Sequence, residues 1–206
     1  MNSSSAGPSA PRPPRRRVHT RARILSAAGE LFLSAGYART SIEDICTAAG
    51  YTRGAFYSNF ATKEDLVLAL FDEQAAERMS KLEHLAAAVG PLGPEERARR
   101  LVEALLRVEP AETGWILLFL EFRLLAARTS ELAHRVAAHD RAVTAAVAVL
   151  LERVLPEVLP RGASAEQAAE VILAAREGLL ARTAAGGPAA EELLSAATAV
   201  LAGLLG

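Results

Sequence analysis

The sequence has almost no cysteine and no long apolar run. Among its 206 residues Cys46 is the only cysteine, so neither an intrachain disulfide nor a cysteine-cluster zinc site can form. A membrane-spanning helix needs roughly 18 consecutive apolar residues. The longest uncharged stretch near the C-terminus, residues 193–206, has 14 and contains Ser195 and Thr198. The N-terminus carries Arg and Pro where a secretory signal would have its apolar core. We therefore expect a cytoplasmic protein that does not interact with a membrane.

Aromatic residues are also scarce, at 5%, whereas alanine occurs 44 times. Alanine is the best helix former, and strands favour β-branched and aromatic side chains. The composition therefore predicts an all-α protein. Hydrophobic residues make up 51% of the chain and charged residues 23%, which is typical of a globular protein with a core.

The net charge of −1 conceals an uneven distribution of charge along the chain. Residues 1–66 contain nine basic and five acidic side chains, a net charge of +4, so the remainder carries −5. A basic front and an acidic body suggest that one end of the molecule binds a polyanion. Charges scattered unevenly over solvated helix faces are the alternative explanation.

Three segments are predicted from the composition and spacing. Residues 1–17 are rich in Ser, Gly, Pro and Arg and predict a disordered arm that ends in Arg15, Arg16 and Arg17, with order from Val18. Residues 18–66 predict a compact domain of short helices, and residues 67–206 a larger helical domain. Nine helices are expected in total, and no internal repeat is present.

The helices of the first domain are predicted by their end residues. The first helix ends at Gly36. Thr40 with Glu43 has the spacing of a capping box for a second helix. Thr52 is expected to cap a third helix over residues 53–60, and Thr62 a fourth that runs to about residue 88.

Five further helices follow from apolar periodicity and from Gly and Pro breaks. We expect them over residues 95–108, 113–128, 130 to 156 or 160, 164–184 and 189–205.

A helix, a short helix, a turn at Gly50 and a further short helix form a helix-turn-helix pattern. Phe56 and Phe60 are spaced to face inward, which leaves Arg53, Gly54, Tyr57 and Ser58 outside. Arg53 can reach a base edge or a phosphate, Gly54 permits close approach, and Tyr57 can contact a thymine methyl, a sugar or a phosphate. Alternatively, Tyr57 packs on the first helix and Arg53 is only solvated.

The full string of residues 20–66 is far more specific than this pattern. It resembles the DNA-binding domain of the tetracycline-repressor (TetR) family of bacterial transcription regulators. The matching residues, all in register, are Ile24-Leu25, Ala27-Ala28, Leu31-Phe32, Gly36-Tyr37, Thr40-Ser41, Ile45, Ala49-Gly50, Gly54, Tyr57, Phe60, Lys63-Glu64 and Leu66.

The resemblance implies a set of DNA contacts at the starts of the second, third and fourth helices. They correspond here to Thr40, Ser41, Thr52, Arg53, Ala55, Tyr57, Ser58, Asn59 and Lys63. Cys46, Tyr51 and Asn59 depart from the family, which usually has Ala, Val and His there, and Tyr51 could add a DNA contact of its own. Double-stranded DNA is therefore an expected partner, and the arm residues Arg15, Arg16 and Arg17 are expected to add phosphate contacts.

A second candidate site lies in the helix that contains Trp115. Trp115, Phe119 and Phe122 share one helix face, with Arg123 beside them. They predict an aromatic-lined pocket for a small, largely apolar effector, in which Glu121 or Arg123 orients the ligand and Met79, Leu82 or Leu85 lies on the opposite wall. A tightly packed core helix is the competing interpretation.

The last two helices carry apolar faces that one monomer is not expected to cover, which predicts a two-fold homodimer through a four-helix bundle. The residues expected at this interface are Ala168, Val171, Ile172, Ala175, Leu179, Leu193, Ala197, Val200, Leu201 and Leu204.

An enzyme is the alternative class of function, and the sequence offers no motif for one. The four histidines include no i, i+4 zinc pair, and there is no nucleophile elbow and no Gly-rich phosphate loop. We therefore predict no catalytic residue, no metal and no cofactor. A helical protein that binds a partner without binding DNA is a third possibility, and it leaves the helix-turn-helix pattern unexplained.

Overall fold

The computed structural model describes residues 15–156, 164–184 and 190–205. All regular structure in these ranges is α-helix, which confirms the predicted all-α class, and none of these helices is long and apolar enough to cross a membrane. The described residues form two compact units that divide between Leu66 and Val67. The helices are α1 (Arg15–Ala35), α2 (Ile42–Ala49), α3 (Arg53–Tyr57), α4 (Lys63–Val89), α5 (Pro94–Leu106), α6 (Pro110–Ala126), α7 (Ser130–Val154), α8 (Ala165–Ala184) and α9 (Ala190–Leu205).

The first helix begins earlier than the sequence predicts. It starts at Arg15 rather than near Val18, so residues 15–17, expected in a disordered arm, are helical. Basic side chains are good helix formers, and the prolines that oppose helix formation end at Pro14. Residues 1–14 and the side chains of Arg15 and Arg16 lie outside the part that the structure describes.

The core of the first unit consists of side chains from α1, α2 and α3. Ile24, Phe32, Ile45 and Phe56 are almost completely buried, and these three helices pack against one another around them. The predicted inward orientation of Phe56 and Phe60 is confirmed.

The cap of α2 differs from the predicted one by one residue. Ser41, not Thr40, is the N-cap, and it exchanges hydrogen bonds with Asp44 rather than Glu43. Thr40 is buried, and its hydroxyl donates to the backbone oxygen of Gly36 at 2.9 Å. Thr40 satisfies the end of α1, so the neighbouring serine is left to begin α2.

The third helix is shorter than predicted and ends at Tyr57. Its N-cap is Thr52, as predicted, whose hydroxyl accepts from the amide of Ala55 at 3.2 Å. Phe60 lies beyond the helix, and its amide donates to the backbone oxygen of Phe56 at 2.9 Å. Gly50 caps α2 with φ = 72°, a conformation that suits glycine and turns the chain towards α3.

The fourth helix begins as predicted. Thr62 and Asp65 exchange hydrogen bonds of 2.8 and 3.0 Å between side chain and backbone, which caps the start of α4. The helix continues to Val89, close to the predicted end.

The second unit, from Val67 onward, contains most of α4 and the helices α5 to α9. Its core cluster includes Leu82, Leu101, Leu105, Leu151 and Ile172. Helix α7 packs on α8, and α5 packs on both α8 and α9.

Two helix starts in this unit show how the sequence sets the boundaries. Helix α6 begins at Pro110, three residues before the predicted start, because Pro is favoured at the first helical position and Glu109 and Glu112 form a reciprocal cap. Ser164 and Gln167 cap α8 as predicted, with hydrogen bonds of 2.9 and 3.1 Å.

Most of the residues predicted at the dimer interface are at least partly buried within one protomer. Ile172 is buried in the core, and Ala168, Ala175, Leu179, Ala197 and Leu201 pack against it half-buried. Helix α9 packs on α5 and α8, so one monomer covers part of this surface. Leu193 is half-buried, Val171 and Val200 remain exposed at 54% and 62%, and the side chain of Leu204 lies outside the described residues.

Candidate functional sites

The short helix α3 presents its polar side to solvent. Arg53, Gly54 and Ser58 are exposed, and Tyr57 is 49% exposed, so Tyr57 does not pack away against α1. The Tyr57 ring stands edge-on to the buried ring of Phe56, with centroids 5.4 Å apart. The Tyr57 ring therefore contacts the core through Phe56, while about half of the residue remains exposed.

Arg53 and Tyr57 lie one turn apart on the same face. The Arg53 guanidinium is 3.5 Å from the Tyr57 hydroxyl. A Cβ added at Gly54, between them along the chain, would meet only the Thr52 hydroxyl oxygen at 3.7 Å, an ordinary contact. The fold therefore does not require glycine at this position.

The end of α3 holds the polar residues Ser58 and Asn59. The Ser58 hydroxyl and the Asn59 amide both donate to the backbone oxygen of Ala55, at 2.9 and 2.8 Å. The Asn59 side-chain oxygen is buried and has no hydrogen-bond donor in the described part of the chain. Ala55 itself is half-buried beneath these bonds, and Tyr51 is half-buried at the turn before α3.

Three residues expected to contact DNA have different environments. Ser41 is exposed at the start of α2, as a contact residue should be. Thr40 is buried beneath it and faces the protein interior, so its side chain is not at the surface. Lys63 is half-buried: its ammonium donates to the backbone oxygens of Tyr37 and Thr40 at 3.0 and 2.8 Å and lies 4.0 Å from the centre of the Tyr37 ring.

Two arginines of α1, one turn apart, reach the end of α3. Arg17 donates from Nη2 to the backbone oxygen of Ser58 at 3.1 Å, and the Arg21 guanidinium lies 5.3 Å from the centre of the Phe60 ring. Sequence reasoning assigned Arg17 to a mobile arm and gave Arg21 no role. In a helix that begins at Arg15, the i, i+4 spacing of Arg17 and Arg21 places both side chains on one helix face, and this spacing was the signal in the sequence.

The second unit contains a cavity of about 340 Å³. Of the side chains predicted to line it, Met79, Leu82, Trp115, Phe119 and Arg123 do so. Phe122 does not line it, because the helix turns that side chain fully into the core against the ring of Phe71. Other residues on the wall include Phe71, Arg78, Glu112, Ile116, His139, Asp140, Val143, Glu170, Leu173, Arg176 and Glu177.

Charged side chains form two clusters on the cavity wall. In the first, Glu112 binds Arg78 at 2.7 Å and Arg176 at 3.0 Å. Burial lowers the pKa of Arg176 to about 10, with a further contribution from the nearby charge of Arg78. Local sequence patterns could not predict this cluster, because its members come from α4, α6 and α8.

In the second cluster Arg123 lies between two carboxylates, Glu177 at 3.0 Å and Asp140 at 2.8 Å. Its guanidinium also stacks on Phe119, 5.0 Å from the ring centre. Burial raises the pKa of Glu177; the charge of Arg123 opposes this and that of Asp140 adds to it. Arg123 was predicted to orient a ligand, but in this structure both of its terminal nitrogens are bound to protein carboxylates.

Two family models match most of the chain. Residues 24–70 match the model for bacterial regulatory proteins of the tetR family. Residues 94–206, more than half of the chain, match the C-terminal model for BetI-type transcriptional repressors. The chain belongs to the TetR family. The members of this family are transcriptional regulators with a helix-turn-helix DNA-binding domain and are not enzymes, so the enzyme alternative is set aside.

Curated TetR-family relatives match parts of the chain. The regulator TtgR of Pseudomonas putida is 41% identical over 76 residues, and that match covers 36% of each chain. The repressor AcnR of Corynebacterium efficiens is 29% identical over 136 residues, which covers 66% of each chain. The match to TtgR thus spans about a third of that relative's length.

Solved structures agree with the fold over almost the full length. A transcriptional regulator from Rhodococcus sp. RHA1 is 26% identical, with a TM-score of 0.69 over 90% of this chain and 95% of that one. GusR of Salmonella enterica, at 24% identity, has a TM-score of 0.67 over 91% of this chain and 96% of that one.

Proposed function

We propose that this TetR-family chain is a repressor that binds a palindromic operator as a dimer and is released by a small, largely apolar effector. The observation that carries the DNA-binding part is the exposed face of α3, where Arg53 and Tyr57 project on either side of a glycine that the fold does not require.

The first unit supplies the features that a duplex requires. The Thr52 cap fixes the start of α3, whose N-terminal side chains would read base edges in the major groove. Ser41 lies at the start of α2, where free backbone amides suit a phosphate. Lys63 joins the start of α4 to the loop between α1 and α2 through the carbonyls of Tyr37 and Thr40 and is therefore a positioning residue.

Base readout by Arg53 and Tyr57 is tested by substituting each with alanine. Each substitution should weaken binding to the operator by about 1–3 kcal/mol if a base is read directly. Arg141, an exposed arginine of α7, provides the control, because Arg141→Ala removes the same charge from the other unit. An effect of Arg53→Ala no larger than that of Arg141→Ala would show only a loss of general electrostatic attraction.

The cavity in the second unit supports the effector-binding part. Its volume of about 340 Å³ lies at the lower end of the range for small-molecule sites, roughly 300–1,000 Å³, and aromatic side chains line it. Helix α4 is one continuous helix from Lys63, beside the start of the DNA-binding face, to Met79 and Leu82 on the cavity wall. A ligand that displaces the far half of α4 would alter the position of its beginning, and in a dimer it would change the separation of the two α3 helices.

Release requires that the ligand prefer the arrangement that does not bind DNA. A change from a 1:99 to a 99:1 population needs a preference of about 5.5 kcal/mol. Trp115 is the only tryptophan and lines the cavity, so its fluorescence reports binding there. Compounds that quench Trp115 should also release the operator, and quenching without release would contradict the proposed coupling.

A further inference from the structure

Three arginines lie on the wall of the cavity, and their hydrogen-bond partners differ. Arg78 is fully engaged: Nη1 donates to both oxygens of Glu112, and Nη2 donates to the backbone oxygens of Ala104, Leu105 and Arg107 at 2.8–3.1 Å. Arg78 thus closes the C-terminal end of α5 and joins it to α6. It is a structural residue, and a ligand could engage it only by breaking these bonds.

Arg123 is also engaged through both terminal nitrogens. Nη1 binds Glu177 and Nη2 binds Asp140, and the plane of the guanidinium is covered by Phe119. Its Nε is enclosed without an acceptor, but no terminal nitrogen is left to form a forked pair with a ligand.

Arg176 is different. An arginine has five N–H donors. Among the described residues Arg176 makes one hydrogen bond, from Nη2 to Glu112 Oε2 at 3.0 Å, and its Nε is enclosed without an acceptor. Its side chain is only 12% exposed, and it lines the cavity. A buried guanidinium with unused donors is costly unless an acceptor reaches it.

The ion-paired cluster that contains Arg176 has an excess of positive charge. Arg78 and Arg176 share the single carboxylate of Glu112, which leaves a net charge of +1. Burial lowers the pKa of Arg176 to about 10, the charge of Arg78 lowers it further, and the charges of Glu112 and Glu177 oppose this. In the second cluster Arg123 is shared by Asp140 and Glu177, with a net charge of −1.

We propose that the effector carries a carboxylate, or another planar oxyanion, that binds the free donors of Arg176 while its apolar body lies against Trp115, Ile116 and Phe119. This deepens the effector proposal above and rests on it. A planar guanidinium with free N–H groups matches a carboxylate in geometry as well as in charge. Arg78 and Arg123 have both terminal nitrogens bound to protein acceptors, so Arg176 is the arginine of the described cavity wall that can best accept the charged group.

The test uses three probes that share one aromatic body: 1-naphthylacetate, 1-naphthylacetamide and 1-naphthylmethylamine. Binding to the full chain, without DNA, is measured by calorimetry and by Trp115 fluorescence. We expect the acid to bind at least about tenfold more tightly than the amide, because its hydrogen bonds are charge-assisted, and the amine to bind most weakly.

Two substitutions on α8 locate the effect. Arg176→Gln should abolish the preference for the acid and leave the affinity for the amide unchanged, which also shows that the cavity is intact. Arg176→Lys should restore part of the preference, since it keeps the charge but lacks the fork. Arg182→Gln, which removes an exposed arginine of the same helix, should change nothing.

Several results would overturn the proposal. They are equal affinity for acid and amide, tightest binding by the amine, an equal loss of all three probes in Arg176→Gln, and no binding of the acid at millimolar concentration. Because no DNA is present, these results are separate from operator release. If the acid binds through Arg176 and the operator stays bound, the ligand class stands and effector-controlled release is wrong.

Discussion

Arg17 in the first turn of α1 donates a hydrogen bond from Nη2 to the backbone oxygen of Ser58, at the C-terminal cap of α3, over 3.1 Å. This bond joins residues 41 positions apart and fixes the end of the helix that presents Arg53 and Tyr57. A cation also suits this place, because the carbonyls at the end of a helix carry partial negative charge.

Arg17→Gln should weaken operator binding several-fold without changing the salt dependence of binding. The reason is that Arg17 holds α3 rather than neutralising a phosphate. Each lost phosphate contact reduces the slope of log affinity against log salt by about 0.9. Arg16→Gln, in the neighbouring residue that the sequence assigns to phosphate contacts, is the matched comparison and should show that reduction. Fluorescence anisotropy over a salt series measures the operator affinity and its salt dependence for both variants. A reduction of the salt slope in Arg17→Gln equal to that in Arg16→Gln would contradict the positioning role.

Ser41→Ala should lower the free energy of unfolding by about 1 kcal/mol, the usual cost of losing an N-cap side chain. Ser41 accepts from the amide of Asp44 at 3.1 Å, and its own amide donates to the Asp44 carboxylate at 2.9 Å. Glu43→Gln is the control, because Glu43 has no part in this cap. Urea denaturation measures both variants. A loss in Glu43→Gln as large as in Ser41→Ala would favour the cap predicted from the sequence.

The cap of α2 shows how far sequence reasoning reaches in this protein. Periodicity and capping residues predicted the helices, because both are local properties of the chain. They could not decide between Thr40 and Ser41. That choice follows from the burial of Thr40, whose hydroxyl donates to the backbone oxygen of Gly36, and burial depends on how α1 and α2 pack.

The cavity shows that local sequence patterns also fail to predict contacts between residues that are far apart in the chain. The aromatic face of α6 was visible in the sequence, but the fully buried position of Phe122 depends on Phe71 from α4. Arg176 lies 64 residues from Glu112, and no local pattern relates the two. The expectation that one monomer leaves the apolar faces of α8 and α9 uncovered missed α5 for the same reason, because α5 packs on both helices and lies far from them in the chain.

Glu177, one of the two carboxylates that bind Arg123, should make the free energy of unfolding depend on pH. Burial raises the pKa of Glu177 above its ordinary value of 4.5, so the folded state holds this proton more tightly than the unfolded state does. The free energy of unfolding should therefore fall as the pH rises through the interval between 4.5 and the raised pKa. Glu177→Gln should remove that fall, whereas Glu170→Gln, on the exposed side of the same helix, should keep it. Urea denaturation at a series of pH values measures this, and an unchanged profile in Glu177→Gln would refute it.

The exposed valines of α8 and α9 provide a test of the proposed dimer. Val171→Glu combined with Val200→Glu should convert the dimer to a 21.8 kDa monomer in sedimentation, since both side chains are more than half exposed in one protomer. Leu201→Glu is a poor probe, because Leu201 packs against the core and its loss would unfold the protomer. Val149→Glu, at a 62% exposed position of α7, is the control and should leave the dimer intact. Dimerisation that persists in the double variant would place the interface elsewhere.

Selection from a pool of randomised duplexes by the full chain tests the central claim, sequence-specific DNA binding through α3, most directly. Specific binding by a dimer should enrich a palindromic motif whose half-sites lie about one helical turn, 10–10.5 base pairs, or a multiple of it apart. Arg53→Ala and Tyr57→Ala should relax the selection at the base pairs that these residues read. A selection at low salt that enriches no motif would contradict the central claim.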